Sequence, residues 1–155
     1  MTYYDSIAKG YTELHKDEQL KKIQLIKDNL ELDKNDLLLD VGCGPYFADF
    51  ECKVVGIDPS IELLKQAKVS VCQAVAENLP FKDNSFDVIV SITALQNFED
   101  LDKALYEIKR VGKERFVITF LQKAAKKDLF LDKINEYFKI YKVIMEEKDI
   151  ILFLR

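Results

Sequence analysis

The chain contains no tryptophan, a single histidine (His15) and three cysteines (Cys43, Cys52 and Cys72) among 155 residues. No CxxC pair occurs, so neither a zinc framework nor a disulfide scaffold is suggested, and the cysteines read as small buried residues. One histidine is too few for a histidine-based metal site. No apolar run approaches the ~20 residues of a membrane helix. The first residues, MTYYDSIAKGY, lack the basic-then-apolar pattern of a signal peptide, which leads to the expectation of a cytoplasmic protein. Repeats, low-complexity tracts and long linkers are absent too. What is present is a composition for one folded domain over 1–155, with 48% hydrophobic and 32% charged residues.

The net charge of −4 hides an asymmetry. Residues 1–101 carry 10 basic and 18 acidic side chains, a balance of −8, and residues 102–155 carry 13 and 9, a balance of +4. The basic part could meet an anionic partner such as RNA, or its lysines could be solvated faces of helices and strands.

Apolar periodicity orders the chain. Leu20, Ile23, Ile26 and Leu30 recur at helical spacing over 18–30. Short apolar runs at 37–41 and 54–57 read as buried parallel strands. Ser60 is a plausible N-cap for a helix over 61–67. Residues 69–75 and 86–92 are strand-like, the second after a turn at 82–85. Leu101, Leu105, Ile108 and Val111 mark a helix over 101–111. A strand at 115–121 and a helix at 124–137 follow, the helix with Leu129, Ile134 and Tyr137 inward. Strands at 138–145 and 150–154 close the chain as a hairpin. The alternation predicts an α/β, doubly wound, mostly parallel seven-stranded sheet ending in an antiparallel hairpin.

Chemistry concentrates at two strand tips. LLLDVGCGP (37–45) ends its apolar run in Gly42 and Gly44, and VVGIDPS (54–60) ends in Asp58. Open α/β sheets build nucleoside sites this way, with a glycine turn after one strand and a carboxylate after the next for the ribose hydroxyls. A dinucleotide-binding GxGxxG would need glycine at Phe47, and a P-loop would need GK[ST]; neither is present.

DVGCGP (40–45), GIDPS (56–60), AENLPFKDNSFDVIVS (76–91) and YDSIAKGY (4–11) occur in an order that resembles the class I S-adenosylmethionine-dependent methyltransferases, and within them the type 11 group. The resemblance covers nearly the whole chain. It implies a three-layer Rossmann-like methyltransferase fold, with 1–17 as a cap over the cofactor and 18–155 as the core. The cofactor it implies is S-adenosyl-L-methionine. Gly42 and Gly44 would let backbone approach its methionine part, Asp40 would hold its ammonium, and Asp58 would accept both ribose hydroxyls. Ala76 and Glu77 would meet adenine, Ser91 would border the crevice, and Tyr4 and Tyr11 would form the cap. Each side chain also has a plain structural reading, as a turn residue, a solvated acid or helix packing.

The chain departs from the family at several points. Tyr46 stands at a usual third glycine, where its ring would narrow the methionine end. Residues 46–53 leave room for one or two helical turns between the first two strands. Val75 replaces an Asp common in relatives, and Gln96-Asn97 replaces a His-His pair. A general base is needed only if the acceptor arrives protonated with a high pKa; Tyr3, Tyr11 and His15 are the candidates, with Asn97 for orientation only, and no catalytic residue stands out. The resemblance implies transfer of a methyl group by in-line displacement to an acceptor it does not identify, a small molecule, RNA or protein. So short a connection between the first two strands would leave one face of the sheet thinly covered, and with the short C-terminal hairpin this suggests a homo-oligomer or a small activating subunit; a non-catalytic scaffold that binds a partner is the alternative function.

Overall fold

The computed structural model describes residues 2–155, except for the side chains of 12–14. The chain opens with α1 (Tyr3–Asn29), capped by Thr2, whose hydroxyl accepts from the Asp5 amide while the Asp5 carboxylate accepts from the Thr2 amide. The expected cap at 1–17 and the helix expected from residue 18 are thus halves of one unbroken element.

Next come β1 (Leu37–Val41), β2 (Lys53–Asp58), α2 (Ile61–Leu64), β3 (Ser70–Gln73) and β4 (Phe86–Ile92). They are followed by a 3-10 turn at Leu95–Asn97, α3 (Leu101–Val111), β5 (Gly112–Leu121), α4 (Lys127–Tyr137), β6 (Ile140–Met145) and β7 (Asp149–Leu154). The seven strands form one sheet in the order β3-β2-β1-β4-β5-β7-β6. β1 to β5 pair in parallel, and β7 lies antiparallel between β5 and β6. Strand order reverses between β1 and β4, where the connections leaving the two strands diverge and open a crevice at their carboxyl ends.

Side-chain alternation along the strands feeds two cores. Leu38, Val88, Val90, Val117 and Phe153 face α1 through Ile23, Ile26 and Leu30. Leu39, Ile89, Phe116, Ile118 and Leu152 face α3 and α4 through Leu105, Ile108, Phe130 and Ile134.

Several local expectations are corrected. The β1–β2 connection contains no helix, because Tyr46 and Asp49 take positive φ (54° and 45°), which a right-handed helix does not allow. Ala48 and Phe50 of that connection fill the space against Leu38 instead. α2 tightens after Leu64, where the Gln66 and Ala67 amides bond three residues back, to Leu63 and Leu64. In α4 the inward position belongs to Phe130, set edge-on against Phe120, and Leu129 is 45% exposed. Among the described residues, no helix is long and apolar enough to cross a membrane.

Candidate functional site

The turn after β1 is sewn to β2 by backbone. The Gly42 and Cys43 amides both donate to the Ile57 carbonyl, at 2.8 and 2.9 Å. Gly42 (φ 77°) and Gly44 (φ 52°) sit in the left-handed region, which glycine enters at no steric cost. At Gly42 there is a second reason: a Cβ would lie 2.7 Å from the Ala94 Cβ. The glycine therefore admits the chain leaving β4.

Asp58, at the tip of β2, accepts from the Gly44 amide through Oδ2 (2.9 Å) and from the Ser60 amide through Oδ1 (2.8 Å). Burial pushes its carboxyl up, and these two backbone donors pull it back. Each oxygen keeps a lone pair for a further donor. Asp40, at the tip of β1, is 4% exposed, and its Oδ1 has no hydrogen-bond partner. Burial first, and the Asp58 charge second, raise its carboxyl to about 7.

Both acids line a cavity of about 560 Å³, together with Gly42, Gly44, Ala76 and Glu77. The Glu77 carboxylate accepts from the Glu99 and Asp100 amides, at 2.7 and 3.3 Å, so it ties the loop after β3 to the start of α3. α1 supplies the opposite wall through Tyr4, Tyr11, Gln19 and Ile23. The Tyr4 hydroxyl donates to Asn97 Oδ1 at 3.1 Å, across the cavity, and the Tyr4 and Tyr11 rings meet edge to face at 5.6 Å. Burial, helped by Tyr4 and Asp58, pushes the Tyr11 phenol up to about 12.

The structure therefore gathers eight of the nine residues singled out from sequence. Ser91 lies apart: it is fully buried, donates to the Val41 carbonyl at 3.1 Å, and is not among the lining residues. Its hydroxyl fastens β4 to β1. Of the candidates for base or orienting group, Asn97 and Tyr11 line the cavity; Tyr3 is 72% exposed, and the His15 ring packs tilted against Tyr11 outside the lining. The Tyr46 ring also turns away: its hydroxyl accepts from the Phe50 amide, and Phe47 and Ala48 reach the cavity instead.

Some structurally important residues escape the sequence reading. Asp5 Oδ1 accepts from the Ser60 hydroxyl (2.6 Å) and the Glu62 amide (3.2 Å), docking α1 on α2, and these bonds hold its carboxyl well below the usual range. Its signal was the Thr2-x-x-Asp5 spacing of a capping box. Lys22, 4% exposed, pairs with buried Asp149 at 2.8 Å, and no pattern in the sequence announces that contact.

Comparison with known proteins decides the family. A methyltransferase-domain profile matches residues 39–118, which is 80 of the 155 residues. The chain belongs to the class I S-adenosylmethionine-dependent methyltransferases. It is 36% identical over 126 residues to the uncharacterized protein MJ1252 of Methanocaldococcus jannaschii, covering 76% of this chain and 49% of that protein. The chain thus spans about half the length of that curated relative. Two solved structures share the fold. A methyltransferase of Aquifex aeolicus superposes with a TM-score of 0.82 at 19% identity, covering 99% of this chain and 98% of the other. A chain from the complex of the Haloferax volcanii Trm112 methyltransferase activator with a putative methyltransferase gives 0.86 at 14% identity, covering 99% and 97%. In this methyltransferase-family chain the cavity lies where open α/β sheets bind ligands, at the reversal of strand order.

Proposed function

We propose that the chain binds S-adenosylmethionine in this cavity and transfers its methyl group to a small acceptor by in-line displacement. The observation that carries the reading is the pair of buried carboxylates beside the glycine turn. One of them, Asp40, lines the cavity and carries an oxygen with no hydrogen-bond partner. When bound, the cofactor supplies an electrophilic methyl group on a sulfonium. Asp40 would hold the ammonium, directly or through water, and Asp58 would accept from the ribose hydroxyls with its remaining lone pairs. The Ala76–Glu77 loop would take the adenine. Tyr4 and Tyr11 would cover the site and exclude water, and the alignment of donor with acceptor would provide most of the rate.

The walls around the remaining space narrow the acceptor. Tyr11 keeps its proton at neutral pH, and Asp40, the lining acid raised to about 7, would be committed to the cofactor rather than to the acceptor. The acceptor would therefore arrive with a free lone pair. Among the described residues, the charged ones lining the cavity are Asp40, Asp58, Glu77, Glu99, Asp100 and Lys103. Among the C-terminal basic residues, Lys113 and Arg115 sit at the start of β5, away from the cavity, in ion pairs with Asp87 and Asp36. An acidic rim repels a polyanion, so a neutral or cationic small molecule is favoured over RNA. Tyr46 and the short β1–β2 connection, the two departures that would favour a non-catalytic scaffold, leave the cavity open, which supports the enzyme reading.

Calorimetric titration with S-adenosylmethionine and S-adenosylhomocysteine tests the proposal. Micromolar binding supports it and justifies a labelled-methyl screen of amines, thiols and RNA. Absence of binding by the pure chain refutes it, unless an activating partner, such as the one in the Haloferax complex, restores binding.

A further inference from the structure

Thr93, the first residue after β4, has φ 52°. A β-branched residue in the left-handed region is a true outlier, and such strain persists only where the surroundings over-determine it. Here they do. The Thr93 hydroxyl accepts from Lys22 Nζ at 2.6 Å and donates to Asp149 Oδ2 at 2.7 Å. The Thr93 amide donates to the Thr119 hydroxyl at 2.9 Å and carbonyl at 3.2 Å. Lys22 and Asp149 are themselves paired at 2.8 Å, 4% and 1% exposed. Side chains from α1, β5 and β7 thus converge on one residue.

Of these four residues only Thr93 lines the cavity, with Ala94 beside it. Ala94 is the residue whose Cβ fills the space a side chain on Gly42 would need. Contact therefore runs from the buried ion pair through Thr93 and Ala94 to the glycine turn. A buried ion pair is weak evidence for stability, since apolar replacements are often neutral or stabilising. We propose that the Lys22–Asp149 pair is a positioning clamp, which holds Thr93 in its strained conformation and so sets the Ala94 wall against the glycine turn of the cofactor cavity. The inference rests on the proposed cofactor site, and Lys22 and Asp149 act through Thr93 without touching the ligand.

The test compares the wild type with Lys22→Met/Asp149→Leu and with the same double variant carrying Thr93→Gly. The readouts are S-adenosylhomocysteine affinity by calorimetry, thermal unfolding, and the backbone amide resonances of Gly42 and Ala94 without ligand. The double variant should unfold near the wild-type temperature, bind about tenfold more weakly, and shift both amides. Glycine at 93 accepts the left-handed conformation freely, so the triple variant should recover about threefold or more of the affinity. A merely structural ion pair predicts no such rescue. Wild-type affinity with unmoved amides in the double variant overturns the clamp, as does failure of glycine to restore binding. If the double variant does not fold, Thr93→Val, which removes only the hydroxyl link, should give the same loss, and unchanged binding there overturns the proposal. A wild type that binds no S-adenosylhomocysteine refutes the cofactor site instead; the ligand-free amides then still decide the clamp.

Discussion

Asp40 should make ligand affinity depend on pH. Its carboxyl is raised from 3.8 to about 7, by burial first and Asp58 second. Only the ionised form pairs with a cation, so apparent affinity scales with the ionised fraction. For a group titrating at 7 that fraction is roughly 3% at pH 5.5 and about 75% at pH 7.5, an increase of about 25-fold. Calorimetry with S-adenosylhomocysteine over this range, in buffers of different ionisation enthalpy, reads the affinity and the proton release together. Near pH 6.5 binding should expel about three-quarters of a proton. Asp40→Asn should bind weakly at every pH and release none, and His15→Gln should keep the wild-type slope. A flat wild-type profile, or a slope surviving in Asp40→Asn, refutes the assignment. Stability of the ligand-free protein runs the other way. Between 3.8 and about 7 the folded state holds a proton that the unfolded chain has lost. The contribution is therefore full below 3.8 and disappears as pH rises through 7. At ~1.36 kcal/mol per pH unit this amounts to about 4 kcal/mol, so Asp40→Asn should resist urea better than wild type at pH 8, with the gap closing near pH 4.

Asp58→Ala should weaken S-adenosylhomocysteine binding by ~1.5–3 kcal/mol and lower the unfolding temperature, because the Gly44 and Ser60 amides lose their acceptor; unchanged calorimetric affinity would mean that the ribose lies elsewhere. Gly42→Ala should cost about 1–3 kcal/mol in urea titration, from the positive φ and the approach to Ala94 together, and a neutral result would contradict the tight turn. Gly10→Ala should add ~0.5–1 kcal/mol, since nothing lies within 4 Å of the new methyl inside α1; a loss would point to a contact on that face.

Legibility in the sequence followed the physics of each segment. LLLDV and FDVIVSI are apolar runs closed by sharp turns, and β1 and β4 begin and end where those runs do. α3 likewise follows its Leu101, Leu105, Ile108 and Val111 stripe, begun by the Asp100 cap. α1 reads as two pieces because its inner face changes character along its length: Tyr4 and Tyr11 face the cavity, whereas Ile23, Ile26 and Leu30 face the sheet. The direction of Ser91 is not legible, because strand-end position does not tell whether a side chain points at the crevice or the neighbouring strand. Tyr46 was misjudged because a positive φ redirected its ring. The Lys22–Asp149 pair was invisible, since it joins residues 127 positions apart and hydropathy assigns a lysine beside Ile23 to solvent.

The continuity of α1 bears on kinetics. A lid on a loop can swing about two backbone angles, but Tyr3–Asn29 is one hydrogen-bonded rod, pinned at Lys22 and packed into the sheet core beyond it. The wall bearing Tyr4 and Tyr11 can retreat only by fraying from its first turn, past Gly10, the residue least committed to a helix. Ligand entry and exit would then be timed by helix–coil exchange, whose elementary steps take roughly a microsecond or less. The brake on that exchange is the Asp5 link to Ser60 and Glu62, which must break before the first turn unwinds.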